Sequence, residues 1–125
     1  MKPQLLIIED DPAIRQMLDS ALTFAGYPVA ATHDARHALA MLPALAPALV
    51  LCDMLMAGMT GLEFCAELAA LPGLQQPPVI LMSGLEEMRP EAAGRAAGFL
   101  AKPFDLSTLF AIVDRTLAAR EASAS

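Results

Sequence analysis

Short apolar runs constrain this chain more than anything else in it. LLII at residues 5–8, LVLC at 49–52 and VILM at 79–82 are continuous rather than alternating. A strand with one wet face alternates apolar and polar residues; a strand covered on both faces does not. Each run is too short for a helix, and each is followed closely by a polar residue: Glu9, Asp53 and Ser83. VAAT at 29–32 and FLA at 99–101, the latter followed by Lys102, complete the set. The strands read from the sequence are Gln4–Ile8, Val29–Thr32, Leu49–Cys52, Val79–Met82 and Phe99–Ala101.

Helical patterns fill the intervals. The first begins at Pro12, with Asp11 as its N-cap and proline at the first helical position, and closes near Gly26. The second runs from Ala35 to Leu45. The third starts near Gly61, with Thr60 as cap, and ends before Pro72-Gly73. A short fourth lies between Glu86 and Ala97. The fifth spans Leu106 to Arg120, with Leu106, Leu109, Phe110, Val113 and Leu117 on its predicted buried face. Alternation of strand and helix predicts an α/β fold, a doubly wound parallel sheet with right-handed crossovers. Ligands in such sheets bind beyond the carboxyl ends of the strands. The 125 residues fit one domain, read as 1–120, with EASAS at 121–125 as a frayed tail.

Composition excludes several classes. Hydrophobic residues make up 56% of the chain, with mean hydropathy +0.50, but alanine inflates both figures. No run of about 18 apolar residues is free of charge or proline, so no membrane span is expected. MKPQLLIIEDD has neither the apolar length nor the cleavage site of a signal peptide, so the expectation is a soluble, cytoplasmic protein. Net charge is −6 and no basic cluster is present, which argues against nucleic acid as a partner. Cys52 and Cys65 lie in apolar stretches and read as reduced, packed thiols. His33 and His37 sit four apart without an acid or thiol partner and read as surface residues. Met54, Met56 and Met59 read as gap-filling residues rather than ligands.

The residues that end the strands carry the chemistry. Glu9, Asp10 and Asp11 follow the first strand, Asp53 the third, Ser83 the fourth, and Lys102-Pro103 the fifth. Two like charges about 4 Å apart cost about 4 kcal/mol at an effective dielectric of about 20. A hard-oxygen cluster of this kind suits Mg²⁺, which takes one or two carboxylates and keeps several waters. A lysine and a hydroxyl opposite suit phosphate oxygens. An aspartate between metal and lysine is placed to attack phosphorus and form an acyl phosphate. From the residues alone, the reading is a Mg²⁺-dependent phosphoryl acceptor.

In order and spacing, LLIIEDDP, DMLMAGMTG, VILMSG and FLAKPF resemble the response-regulator receiver domains of two-component signalling. The resemblance covers nearly the whole chain. It implies a five-stranded parallel sheet of order 2-1-3-4-5 with five helices. It implies that Glu9 and Asp10 form the metal pair, and that Asp53 is both the phosphorylated residue and a metal ligand. Leu55 would lend a backbone carbonyl to the metal, Ser83 a hydroxyl to the phosphoryl group, and Lys102 a salt bridge. Phe99 would be the aromatic coupled to Ser83, and the Lys102–Pro103 peptide would be cis. Asp11 keeps a structural task, capping the first helix. The implied donor is a sensor histidine kinase or histidine phosphotransferase, and the implied role is a signalling module rather than an enzyme.

The chain departs from the family pattern in three ways. Ala57 stands where proline is frequent, which loosens the loop without removing chemistry. The stretch from Ser83 to Lys102 is shorter by roughly one helical turn and contains Pro90. No effector domain follows the fifth helix, so the expectation is a stand-alone receiver or part of a longer protein. Three other classes fit less well. A haloacid-dehalogenase-type hydrolase needs a D-x-D pattern after the first strand, and EDDP does not supply it. A flavodoxin-like cofactor binder needs a phosphate cradle where three carboxylates stand. A pseudo-receiver that only binds partners has no need of the complete set of acids, serine and lysine.

Overall fold

The computed structural model describes residues 2–73 and 76–124. It contains five strands: β1 (Leu5–Ile8), β2 (Val29–Thr32), β3 (Leu49–Asp53), β4 (Val79–Ser83) and β5 (Gly98–Ala101). Five helices alternate with them: α1 (Pro12–Phe24), α2 (Ala35–Leu45), α3 (Gly61–Ala69), α4 (Arg89–Ala93) and α5 (Leu106–Ala124). A single 3-10 turn, Glu86–Met88, leads into α4. All strand pairs are parallel, and the order is β2-β1-β3-β4-β5, as expected. β3 and β4 each run one residue further than the apolar pattern indicated. Asp53 and Ser83 are therefore the last residues of their strands rather than the first residues of loops.

The continuous apolar runs are explained by two core layers. Leu5, Ile7, Leu49, Leu51, Ile80 and Met82 pack with Leu18 and Leu22 of α1 and Leu109 and Val113 of α5. Leu6, Ile8, Val50, Cys52 and Leu81 pack with Leu42 of α2 and Phe64 and Leu68 of α3. Every residue of β1, β3 and β4 is buried, which is what a central strand between two helical layers requires. Both cysteines are free and buried, and burial pushes both thiols up. Met54 and Met59 are buried in the second layer and Met56 packs against it, while His33 and His37 lie on the surface.

The helix starts follow local chemistry. Asp11 Oδ1 accepts hydrogen bonds from the backbone N–H groups of Ala13 and Ile14, and Pro12 opens α1. Thr60 and Glu63 form a reciprocal capping box on α3. α1 ends at Phe24, short of Gly26, whose φ of +101° turns the chain into β2.

Two expectations about α5 are corrected. Leu106 is 48% exposed rather than buried, and Ile112 and Thr116 join the buried face instead. The buried residues of α5 start at Leu109, one turn into the helix, so Leu106 lies ahead of the packed stretch. The helix also runs to Ala124, past the Arg120 end read from its periodicity. Glutamate and alanine are good helix formers, and no glycine or proline interrupts them. Ser125 lies outside the described residues. α4 is short, as the sequence suggested, but Pro90 belongs to its first turn, where proline is tolerated.

Gly61 fixes how closely α3 approaches the end of β3. Its backbone N–H donates to the Met54 carbonyl at 2.9 Å. A Cβ here would stand 2.8 Å from the Asp53 carbonyl oxygen and 2.9 Å from Met54 Cα. Because backbone must yield, Gly61→Ala should destabilise the fold by about 1–3 kcal/mol, read as a lower urea midpoint. An unchanged midpoint would show that the loop has slack. Tyr27 ties the α1–β2 loop to α5, its hydroxyl donating to Asp114 Oδ1 at 2.9 Å. Burial and this bond push its phenol up to about 12. A raised folded-state value means stabilisation is complete below about pH 10 and is lost as pH rises toward 12. Tyr27 is the sole tyrosine and there is no tryptophan, so phenolate absorbance reports it directly. A midpoint near 12 is expected, moving down in Asp114→Asn.

Candidate functional site

The site lies at the carboxyl ends of β1, β3, β4 and β5. As β1 leaves the sheet, Glu9 keeps one last rung, its N–H donating to the Thr32 carbonyl at 3.0 Å. The chain then turns through exposed Asp10 into the α1 cap. At the end of β3, the Met54 N–H donates to the Met82 carbonyl at 2.8 Å, which holds the backbone beyond Asp53 against β4. At the end of β5, the Lys102 N–H donates to the Ser83 carbonyl at 2.8 Å. The following Lys102–Pro103 peptide is cis, as the resemblance implied.

Lys102 joins the strand ends. Its Nζ donates to Glu9 Oε1 at 2.6 Å and to Asp53 Oδ1 at 3.0 Å. Glu9 is 1% exposed and Asp53 7%, so both carboxylates have lost most of their water. Burial pushes both above the usual carboxylate range, and the Lys102 hydrogen bond pulls each back down. For Lys102 itself, burial works against the charged form, but the two carboxylates prevail and its value is raised. Asp11 N–H also donates to Glu9 Oε2 at 3.2 Å. Ligand atoms of Glu9, Asp10 and Asp53 lie within 4.8 Å of one another. Three carboxylates this close form a hard-oxygen donor set of the kind that can hold a metal ion.

Ser83 is 2% exposed and its hydroxyl accepts the Leu85 N–H at 3.0 Å. Phe99 shares a face of the sheet with Ser83: Leu81 pairs with Phe99 and Ser83 with Ala101. Phe99 packs against the second core layer, and the guanidinium of Arg89 lies over its ring, 4.7 Å from the centroid. Arg89 is also ion-paired to Glu86 at 2.6 Å. Leu55 lies in the loop after β3 with its side chain exposed, and Leu85 is likewise exposed after β4.

Two contributors were not read from the sequence. Arg15, on α1, donates from Nη1 to the Glu9 carbonyl at 2.9 Å. The signal was available, since Arg15 lies one turn into a helix whose cap adjoins the acidic residues. Arg89 reaches Phe99 from the short α4, and no periodicity in the sequence signals that contact.

The comparisons agree with this geometry. The family model for the response regulator receiver domain matches residues 5–114. The response regulator MprA of Mycobacterium ulcerans (strain Agy99) is 32% identical over 114 residues, covering 89% of this chain and 48% of the relative. The chain thus spans about half the length of the curated relatives it matches. The chemotaxis response regulator CheY4 of Vibrio cholerae superposes with a TM-score of 0.85 at 29% identity, covering 93% of this chain and 99% of that one. NtrX of Brucella abortus gives a TM-score of 0.87 at 29% identity, covering 98% of this chain and 28% of that one. Among the described residues no helix is long and apolar enough to cross a membrane. With the strand order, the acidic cluster and the bridging lysine in place, these matches establish that the chain belongs to the response regulator receiver domain family of two-component signalling.

Proposed function

We propose that this domain accepts a phosphoryl group on Asp53 from the phosphohistidine of a sensor histidine kinase or histidine phosphotransferase in the cytoplasm. The observation that carries the reading is Lys102 bridging Glu9 and Asp53 at 2.6 and 3.0 Å. Asp53 is thus both a member of the acidic cluster and a direct partner of the ammonium at one rim of the sheet. An Asp53 carboxylate oxygen attacks phosphorus, the P–N bond breaks, and the donor imidazole leaves with the electron pair. Glu9, Asp10 and Asp53, with the Leu55 carbonyl, would hold Mg²⁺, which supplies charge neutralisation at the transferring phosphoryl oxygens.

Lys102 exchanges part of its bond to Asp53 for a bond to a phosphoryl oxygen. Ser83 turns its hydroxyl hydrogen toward another while its oxygen still accepts from Leu85. Phe99, on the same face of the sheet as Ser83, is the aromatic through which the change reaches the surface.

Acetyl phosphate with Mg²⁺ should add one phosphoryl group to the intact mass. The gain should vanish in Asp53→Asn and on chelation of the metal. A mass gain that survives either change would refute the assignment of Asp53 or of the metal. The acyl phosphate should also be long-lived. Hydrolysis needs a water in line behind phosphorus, and the side chains two residues after Asp53 and two after Ser83 are apolar: Leu55 at 53% and Leu85 at 43% exposed. A side chain that orients water needs to lower the barrier by only about 1.4 kcal/mol for a tenfold gain. Leu85→Gln and Leu55→Asn should therefore lose the phosphoryl group faster once donor is removed, by up to about tenfold. Loss from the parent within seconds, or no acceleration in either variant, would show that these leucines do not shield the site.

A further inference from the structure

Arg15 touches the acidic turn in a way the proposed chemistry has not used. Glu9 is almost wholly buried and lies at the point where β1 leaves the sheet. Its N–H still pairs with β2 through Thr32, but its carbonyl is turned toward α1. A buried carbonyl without a partner is costly, and here the partner is Arg15 Nη1 at 2.9 Å. That carbonyl belongs to the peptide joining Glu9 to Asp10. Holding it sets ψ of Glu9 and φ of Asp10, and so the direction in which the Asp10 carboxylate leaves the backbone.

The neighbouring hydrogen bonds act elsewhere. Asp11 N–H binds the Glu9 side chain, and the Asp11 carboxylate caps α1. Arg15 is half-buried, and its own N–H is fixed by the first helical hydrogen bond to the Asp11 carbonyl at 2.9 Å. The guanidinium is thus braced on the helix that Asp11 starts, and it reaches back over one turn to the strand end. We infer that Arg15 is a positioning residue for the metal site, orienting Asp10 by holding the Glu9 carbonyl. This rests on the reading of Glu9, Asp10 and Asp53 as the metal cluster.

The sign of the effect separates positioning from simple electrostatics. A guanidinium beside a cation site repels the cation, so removing its charge would by itself tighten Mg²⁺ binding. Loss of positioning weakens it, and partners that orient metal ligands typically contribute tenfold or more in affinity. The experiment is a Mg²⁺ titration of the unphosphorylated protein, followed by amide resonances, with metal-free thermal melts alongside.

Arg15→Met should bind Mg²⁺ about tenfold more weakly. Arg15→Lys, which keeps a donor on a long stem, should recover most of the loss. Arg15→Gln supplies the same measurement should Arg15→Met fail to fold. If the parent binds Mg²⁺ and Arg15→Met and Arg15→Gln bind it equally well or more tightly, the inference is overturned, whatever happens to the melting midpoint. A parent that takes up no Mg²⁺ overturns the metal reading and this inference with it.

Discussion

The ammonium of Lys102 is the contact on which the rest of the site depends. Two carboxylates, Glu9 and Asp53, are almost fully withdrawn from water at adjacent strand ends. Buried charges are tolerated when they are paired and hydrogen-bonded. Lys102 meets both requirements at once, at 2.6 and 3.0 Å, and its own backbone is tied to β4 through the Ser83 carbonyl. The same three groups that repel or strain in isolation become a compact charged unit. Burial raises the carboxylates and the lysine lowers them again, so the site sits between two opposing influences. In the proposed function, an incoming cation or phosphoryl group would act on that balance.

The scaffold that allows this is a sheet buried on both faces. Helices above and below leave the strand ends as the exits for the chain, and polar side chains collect there. Each exit is held by a backbone bond to a neighbouring strand: Glu9 to Thr32, Met54 to Met82, Lys102 to Ser83. Gly61 then lets α3 close over the end of β3 without displacing Asp53. Glu9, Asp53, Ser83 and Lys102 are thus positioned by backbone paired to neighbouring strands. Asp10 is the exception, since it is exposed on the turn into α1.

Legibility in the sequence varied with the range of the interaction. The strands were visible because unbroken apolar runs mean burial on two faces. Their ends were displaced by one residue at Asp53 and Ser83, because a polar residue can still make the last rung of a ladder. The caps at Asp11 and Thr60 were visible because capping is settled within three or four residues. The exposure of Leu106 was not, since periodicity marks a helix face without saying where its packed stretch begins. Glu9, Asp10, Asp53, Ser83 and Lys102 could be named as a group from their places after strands. That Lys102 would span Glu9 and Asp53 could not, nor that Arg89 would cover Phe99.

The sequence by itself determined the alternation of elements, the two-sided burial of the central strands, the helix starts and the types of groups gathered at the strand ends. These follow from periodicity and from contacts within a turn or two of the chain. Tertiary structure alone decided which of those groups meet. Lys102 pairs with partners 93 and 49 residues away, and those contacts exist only once β1, β3, β4 and β5 are aligned in parallel register. The Arg15 bond to Glu9 spans six residues, yet it too forms only where a capped helix turns back over a strand end. Local chemistry specifies each element, whereas the distances that make a site are set by how the elements pack.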